Sequence, residues 1–322
     1  MKSFHLSWLV MLPAVLQAAD AGKVIRLNPA LDQLVPAGAQ VEKVAEGFTF
    51  TEGPLWMPAG YLLFSDIPAN KIRKWSPDGT LGELDKPAPP DGYDTITGPN
   101  GLTLDKQGRL IVCEQDGRKL SRLEKDGKLR VLADRFEGKR LNSPNDVVLK
   151  SDGSIYFTDP PYGLKGQDKD PAKELAFNGV FRLKDGKLEA VYKEMTRPNG
   201  IAFSPDEKYL YVANSDGKQK VWMRFDVAKD GTLAGAKVFV DSTSDTSPGG
   251  PDGMKVDRKG NLWATGPGGI WVISPDGRHL GTIAPAEGPA NCHWGDKDAK
   301  TLYITARRGL YRIRTSVAGV RP

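Results

Sequence analysis

The chain predicts an all-β fold, a six-bladed β-propeller. Three observations carry that expectation: a unit that recurs six times, Asp-Gly turns between its strands, and a scarcity of helical apolar periodicity. Each unit opens on a Gly/Pro/Asn/Asp turn and runs into a short apolar strand. A polar turn, a β-rich strand and a third strand with period-two alternation follow. Units of about 40 to 55 residues with this content, repeated radially, make propeller blades, because one such sheet cannot bury both faces alone. A β-sandwich, the main rival, gives no reason for a repeated polar opening tripeptide.

The first residues read as an export signal: Lys2, a mostly apolar run from Leu6 to Leu16, then Ala18, Ala19 and Ala21 as cleavage points. The run is too short for a bilayer span, which needs roughly 20 residues, and no later stretch is long and apolar enough. The expected division is a signal at 1–21, an N-terminal extension at 22–44, the propeller at 45–315 and a tail at 316–322. The mature chain is expected to be exported, periplasmic or secreted, as a monomer or dimer. The formal net charge of +5 is small and scattered, and it argues against a nucleic-acid surface. Cys113 and Cys292 fall in strand-like or core-like segments and are expected as buried thiols, although an oxidising compartment would permit a bridge.

The units open, in order, at Glu52-Gly53-Pro54, Pro99-Asn100-Gly101, Pro144-Asn145-Asp146, Pro198-Asn199-Gly200, Pro251-Asp252-Gly253 and, more weakly, Asn291-Cys292-His293. Second strands follow at Tyr61 to Asp66, Arg109 to Glu114, Ser154 to Asp159, Tyr209 to Asn214, Asn261 to Thr265 and Thr301 to Thr305. Third strands include Val180 to Leu183, Val221 to Phe225 and Leu310 to Ile313. Asp78-Gly79, Asp126-Gly127, Asp152-Gly153, Asp185-Gly186 and Asp276-Gly277 mark hairpins, whose tight turns need a positive φ that glycine adopts freely. Three longer connections, 82–98, 160–178 (with Tyr162) and 242–250, read as loops, and long loops in compact domains are often functional.

Glu52, Asn100, Asn145, Asn199 and Asp252 are separated by 48, 45, 54 and 53 residues, one blade each. Equivalent points of successive blades lie on a ring about the axis, so a propeller would gather these side chains at one mouth of its channel. Two carboxylates and three amides are all oxygen donors, a set that suits one divalent cation: Ca²⁺ first, then Mg²⁺ or Mn²⁺, with Zn²⁺ as an experimental substitute. Histidine is nearly absent, and no His-pair or Cys-cluster zinc motif exists. Proline before the donor stiffens the approach; glycine after it is expected to let the backbone turn sharply.

These motifs resemble the SMP-30/gluconolactonase/luciferin-regenerating family of calcium-dependent lactonases, over about residues 45 to 315. The resemblance is carried by Glu52-Gly53-Pro54, Gly101-Leu102-Thr103-Leu104-Asp105, Asn142-Ser143-Pro144-Asn145-Asp146-Val147-Val148, Tyr156-Phe157-Thr158-Asp159-Pro160-Pro161-Tyr162-Gly163, Arg197-Pro198-Asn199-Gly200 and Pro251-Asp252-Gly253. The Asn142 and Tyr156 segments are similar to bacterial gluconolactonases in particular. The resemblance implies a metal held by Glu52, Asn145, Asn199 and Asp252, a small lactone as substrate, and substrate contacts from Arg140 and Asn142. Asn100 would be a further substrate contact or a turn residue. His293 departs from the small or aromatic residue expected there, and would line the pocket or pack between blades.

A cation touching a lactone carbonyl would stabilise the developing oxyanion, with Asp252 as base towards water or as the nucleophile itself. Two readings compete: organophosphate or ester hydrolysis at the same metal, and a non-enzymatic propeller binding sugars or proteins. No G-x-S-x-G elbow supports a serine hydrolase.

Overall fold

The computed structural model describes residues 21–89 and 91–322, and the expected signal falls, except for Ala21, outside them. Six antiparallel sheets, five of four strands and one of five, form the blades. Blades 1 to 5 begin with inner strands Thr51–Met57, Pro99–Leu104, Val147–Leu149, Pro198–Phe203 and Met254–Val256. Blade 6 takes Pro289–Gly295, Thr301–Ala306 and Gly309–Arg314 from the end of the chain and its outer strand, Glu42–Glu46, from the beginning. Pairing from Glu42↔Arg312 to Glu46↔Gly309 closes the ring. Gly22–Arg26 adds a fifth strand to blade 5, so the segment read as an N-terminal extension is woven into two blades. No α-helix occurs among the described residues.

The period-two pattern explains how the blades hold together. Leu110 and Val112 face blade 1, where they join Leu55, Leu63 and Ile72. Ile111 and Cys113, on the alternate positions of the same strand, face blade 3 and join Val147, Ile155, Phe157 and Phe181. Six such clusters lie among the described residues, one between each pair of neighbouring blades. Burying a large apolar side chain contributes roughly 1.5–3 kcal/mol, so every blade is stabilised mainly by its neighbours. Both cysteines are buried and unbridged.

The Asp-Gly turns behave as expected, with Gly79 at φ +87° and Gly277 at φ +89°. The glycines that follow the ring donors do not. Only Gly53 has a positive φ, +49°; Gly101, Gly200 and Gly253 make no left-handed turn. They are glycines because the inner strands converge. A Cβ on Gly53 would lie 1.9 Å from the carbonyl oxygen of Asn100, on Gly101 2.6 Å from that of Asn145, and on Gly200 2.1 Å from that of Asp252. Gly53, Gly101 and Gly200 are pressed by the donor backbone of the next blade, and at Gly101 and Gly200 the contact replaces the sharp-turn explanation. Side chains stitch the same seam: Ser65 Oγ donates to the Asn100 carbonyl at 2.6 Å and Thr158 Oγ1 to that of Asn199 at 2.7 Å.

Gly200→Ala should therefore destabilise the protein by about 1–3 kcal/mol through backbone overpacking. Gly217→Ala, where a Cβ meets nothing within 4 Å, should stay within about 0.5 kcal/mol. Denaturant melts of both variants check the contrast.

Candidate metal centre and active site

Three of the inner strands, in blades 1, 2 and 4, place their opening residues with one extra residue each. Between Glu52 and Leu55, Pro99 and Leu102, and Pro198 and Ile201, three steps on the inner strand oppose two on its partner. A bulge of this kind locally breaks the ladder and re-aims a side chain. It brings the donors of different blades to the axis, where Glu52, Asn100, Asn145, Asn199 and Asp252 line one cavity of about 320 Å³. Phe50, Ile67, Pro68, Gln115, Tyr162 and Ser215 complete its wall.

Hydrogen bonds fix how several of these donors are presented. Glu52 Oε2 accepts from the Gly53 amide at 2.6 Å and from Asn291 Nδ2 at 3.0 Å. Asn100 Nδ2 donates to Gln115 Oε1 at 3.2 Å, and Asn199 Nδ2 to Ser215 Oγ at 3.0 Å. An amide whose NH₂ is engaged in this way has its carbonyl oxygen left for a cation or substrate.

Below the donors lies a layer that sequence reasoning did not single out. Asp146 takes the place of the glycine in the third opening and is buried. Its Oδ2 lies 3.5 Å from Asn291 Nδ2 and 3.9 Å from the Lys255 ammonium. Burial, then the negative charge of Asp146, pushes the Glu52 carboxyl up to about 7, against the Gly53 amide, Asn291 and Lys255. Burial, then Glu52, then Asp146, holds Asp252 well above the usual carboxylate range. Lys255 offsets one of three buried carboxylates and leaves two uncompensated. Buried charges need partners or a metal, so this donor set fits one divalent cation. Among the described residues no group of three or more His, Cys, Asp or Glu side chains is arranged for a metal; the ring has two carboxylates, and its other donors are amides.

The remaining expected contacts lie elsewhere. Arg140 is outside the cavity wall; its amide donates to Glu174 at 2.7 Å and its Nη2 reaches the Gly117 carbonyl at 3.4 Å. Asn142 is fully buried, and its Nδ2 donates to the Asp159 and Phe177 carbonyls at 3.1 and 2.9 Å. His293 lines a separate cavity of about 580 Å³ at the other mouth of the channel. Its Nδ1 lies 2.9 Å from the Trp294 carbonyl and 3.3 Å from the Trp56 amide, and burial pushes its pKa down to about 3.

Asn291 could have been found by its place at the sixth opening, and Asp146 by its departure from Pro-Asn-Gly. Tyr162 sat in a quoted motif on a long loop. Gln115 and Ser215 share a blade position but not a residue type, so no sequence signal marks them.

An SMP-30/gluconolactonase/LRE-like region is matched over residues 50–308. A gluconolactonase of Zymomonas mobilis is 37% identical over 94% of this chain and 89% of its own. The solved structure of a gluconolactonase from Xanthomonas campestris superposes with a TM-score of 0.79 at 34% identity, covering 91% of this chain and 94% of its own. Diisopropyl-fluorophosphatase of Loligo vulgaris is 25% identical over 82% of this chain and 87% of its own.

Raised carboxyl pKa values in the cation-free fold mean that folding takes up protons. For Glu52 the stabilisation is fully present below its ordinary value of 4.5 and is lost as pH rises through about 7. Asp159, raised to about 7 by burial away from the cavity, adds the same trend. The chelated protein should therefore lose melting temperature between pH 5 and pH 8. Millimolar Ca²⁺ should remove most of that loss and leave the Asp159 part. Calorimetric scans at four pH values, with and without Ca²⁺, decide it, and identical slopes would refute the electrostatic account.

Proposed function

The chain belongs to the SMP-30/gluconolactonase/LRE-like family, and on that footing we propose that it hydrolyses a sugar lactone to the aldonic acid. One divalent cation, Ca²⁺ first, would be held by Glu52, Asn145, Asn199 and Asp252. The observation that carries this reading is the meeting of oxygen donors, spaced one blade apart in sequence, in a single cavity with two uncompensated carboxylates. The similarity to gluconolactonases of Zymomonas mobilis and Xanthomonas campestris supports the bond and the substrate class.

When bound, the cation would supply electrophilic stabilisation to a carbonyl oxygen that becomes negative on attack, worth several kcal/mol. The protein does the rest. Asp252 takes the proton of the attacking water, and Glu52, pinned through Oε2 by Gly53 and Asn291, keeps its geometry while charge moves. Two carboxylates opposite one divalent charge leave the site near neutral, which suits an uncharged sugar ring. Gln115, Asn100 and Tyr162 offer polar groups to ring hydroxyls, while Phe50, Ile67 and Pro68 present an apolar wall. We place the enzyme outside the cytoplasm, on the strength of the leader-like residues 1–21.

Asp252→Asn should lower turnover by about 10³-fold or more, since removing a positioned proton acceptor commonly costs 10²–10⁴, with the circular dichroism of the folded sheet unchanged. Exhaustive chelation should do the same reversibly. The readout is base consumed by gluconolactone above its spontaneous hydrolysis. Full activity after either treatment sinks the mechanism. A phosphotriester cleaved faster than any lactone would move the reading to the chemistry suggested by the Loligo relative's name.

A further inference from the structure

We propose that Ser215 is the positioning residue that sets which atom of Asn199 faces the axis, a proposal that rests on the cation reading above. A carboxamide is nearly symmetrical in shape: turned by 180°, it would present NH₂, a donor, where an oxygen is needed. Ser215 removes that freedom. Its hydroxyl carries one proton, and that proton is given to the carbonyl oxygen of Pro251. Towards Asn199 the oxygen can therefore only accept, and Nδ2 donates to it at 3.0 Å. An N–H of the same amide is also directed to the Asp252 carboxyl, and the carbonyl oxygen of Asn199 is left for the axis.

Three further observations point the same way. Thr158 Oγ1 holds the backbone carbonyl of Asn199 at 2.7 Å, so the side-chain amide is the part still to be fixed. Pro251 directly precedes Asp252, so Ser215 ties the Asn199 amide of blade 4 to the carboxylate segment of blade 5. The same device appears two blades earlier. Pro99 pairs with Glu114 as Pro198 pairs with Asn214, which makes Gln115 and Ser215 equivalent positions, and Gln115 Oε1 accepts from Asn100 Nδ2 at 3.2 Å. In both blades the residue just past the shared pairing accepts one N–H of the amide. Ser215 and Tyr162 both line the cavity, so the clamp lies in its wall.

The test is a double-mutant cycle read by Ca²⁺ calorimetry on the full chain. Ser215→Ala should weaken Ca²⁺ binding about tenfold, the low end for partners that orient metal ligands, and Ser215→Thr, which keeps the hydroxyl, should stay within about threefold of wild type. A carboxylate has two equivalent oxygens, so in an Asn199→Asp background Ser215→Ala should change affinity less than about twofold. Unchanged affinity for Ser215→Ala, or an equal loss in both backgrounds, would overturn the proposal, the second by making Ser215 a packing residue. If the alanine variant does not fold, Ser215→Cys, a poor acceptor of similar size, takes its place in the same cycle. Absence of saturable Ca²⁺ binding in the wild-type protein would overturn the cation reading, and the orienting role with it. Wild-type binding with an indifferent Ser215→Ala would overturn the orienting role alone.

Discussion

The close convergence of the inner strands on the axis is the constraint from which the other features follow. Where the backbone of one opening lies against the next, there is no room for a side chain, and glycine occupies Gly53, Gly101 and Gly200. Proline at Pro99 and Pro198 begins a strand whose first residues must leave the regular ladder, and the bulge that follows turns the donor inward. The apolar clusters between blades set the radial packing. The Ser65 and Thr158 hydroxyls, donating across the blade seam, reinforce the ring at its narrowest point.

Such convergence has an electrostatic cost. Glu52, Asp146 and Asp252 are buried close together, so that Asp146 raises the carboxyl pKa of Glu52 and both raise that of Asp252. Part of the charge is met locally, by the Gly53 amide, by Asn291 and by the ammonium of Lys255. The remainder favours either protons or a cation, and pH decides between them. Gathering buried carboxylates in this way costs stability, a common arrangement where titratable groups are brought together for chemistry.

The propeller was legible because its signals are periodic and local: alternation within a strand, Asp-Gly between strands, and a polar opening once per blade. The donor ring was legible for the same reason, since a fixed blade length turns sequence spacing into angular position. What escaped depends on contacts between blades. The glycines after Asn100 and Asn199 were attributed to turns, yet their cause is the backbone carbonyl of a residue about 50 positions away. Asn142 carries a motif but spends its donor on a buried loop anchor. His293 lies two residues beyond Asn291 on the same face of its strand, and it lines a cavity away from the ring. Ser215 and Gln115 do one job with unrelated side chains, so residue type could not reveal them.

The ring and its surroundings therefore divide the labour. Five openings supply oxygen to one cavity; the sixth supplies Asn291, whose amide braces Glu52 instead of joining the wall. That ring is locked by backbone contacts that tolerate little change. The cavity's outer wall comes from residues on connections outside the strand ladders, Phe50, Ile67, Pro68 and Tyr162. Selectivity among lactones, or between lactones and other esters, would then change through these connecting residues while the donor set stays fixed. Connections carried on a rigid scaffold are where a repeat fold can vary its substrate without losing its centre.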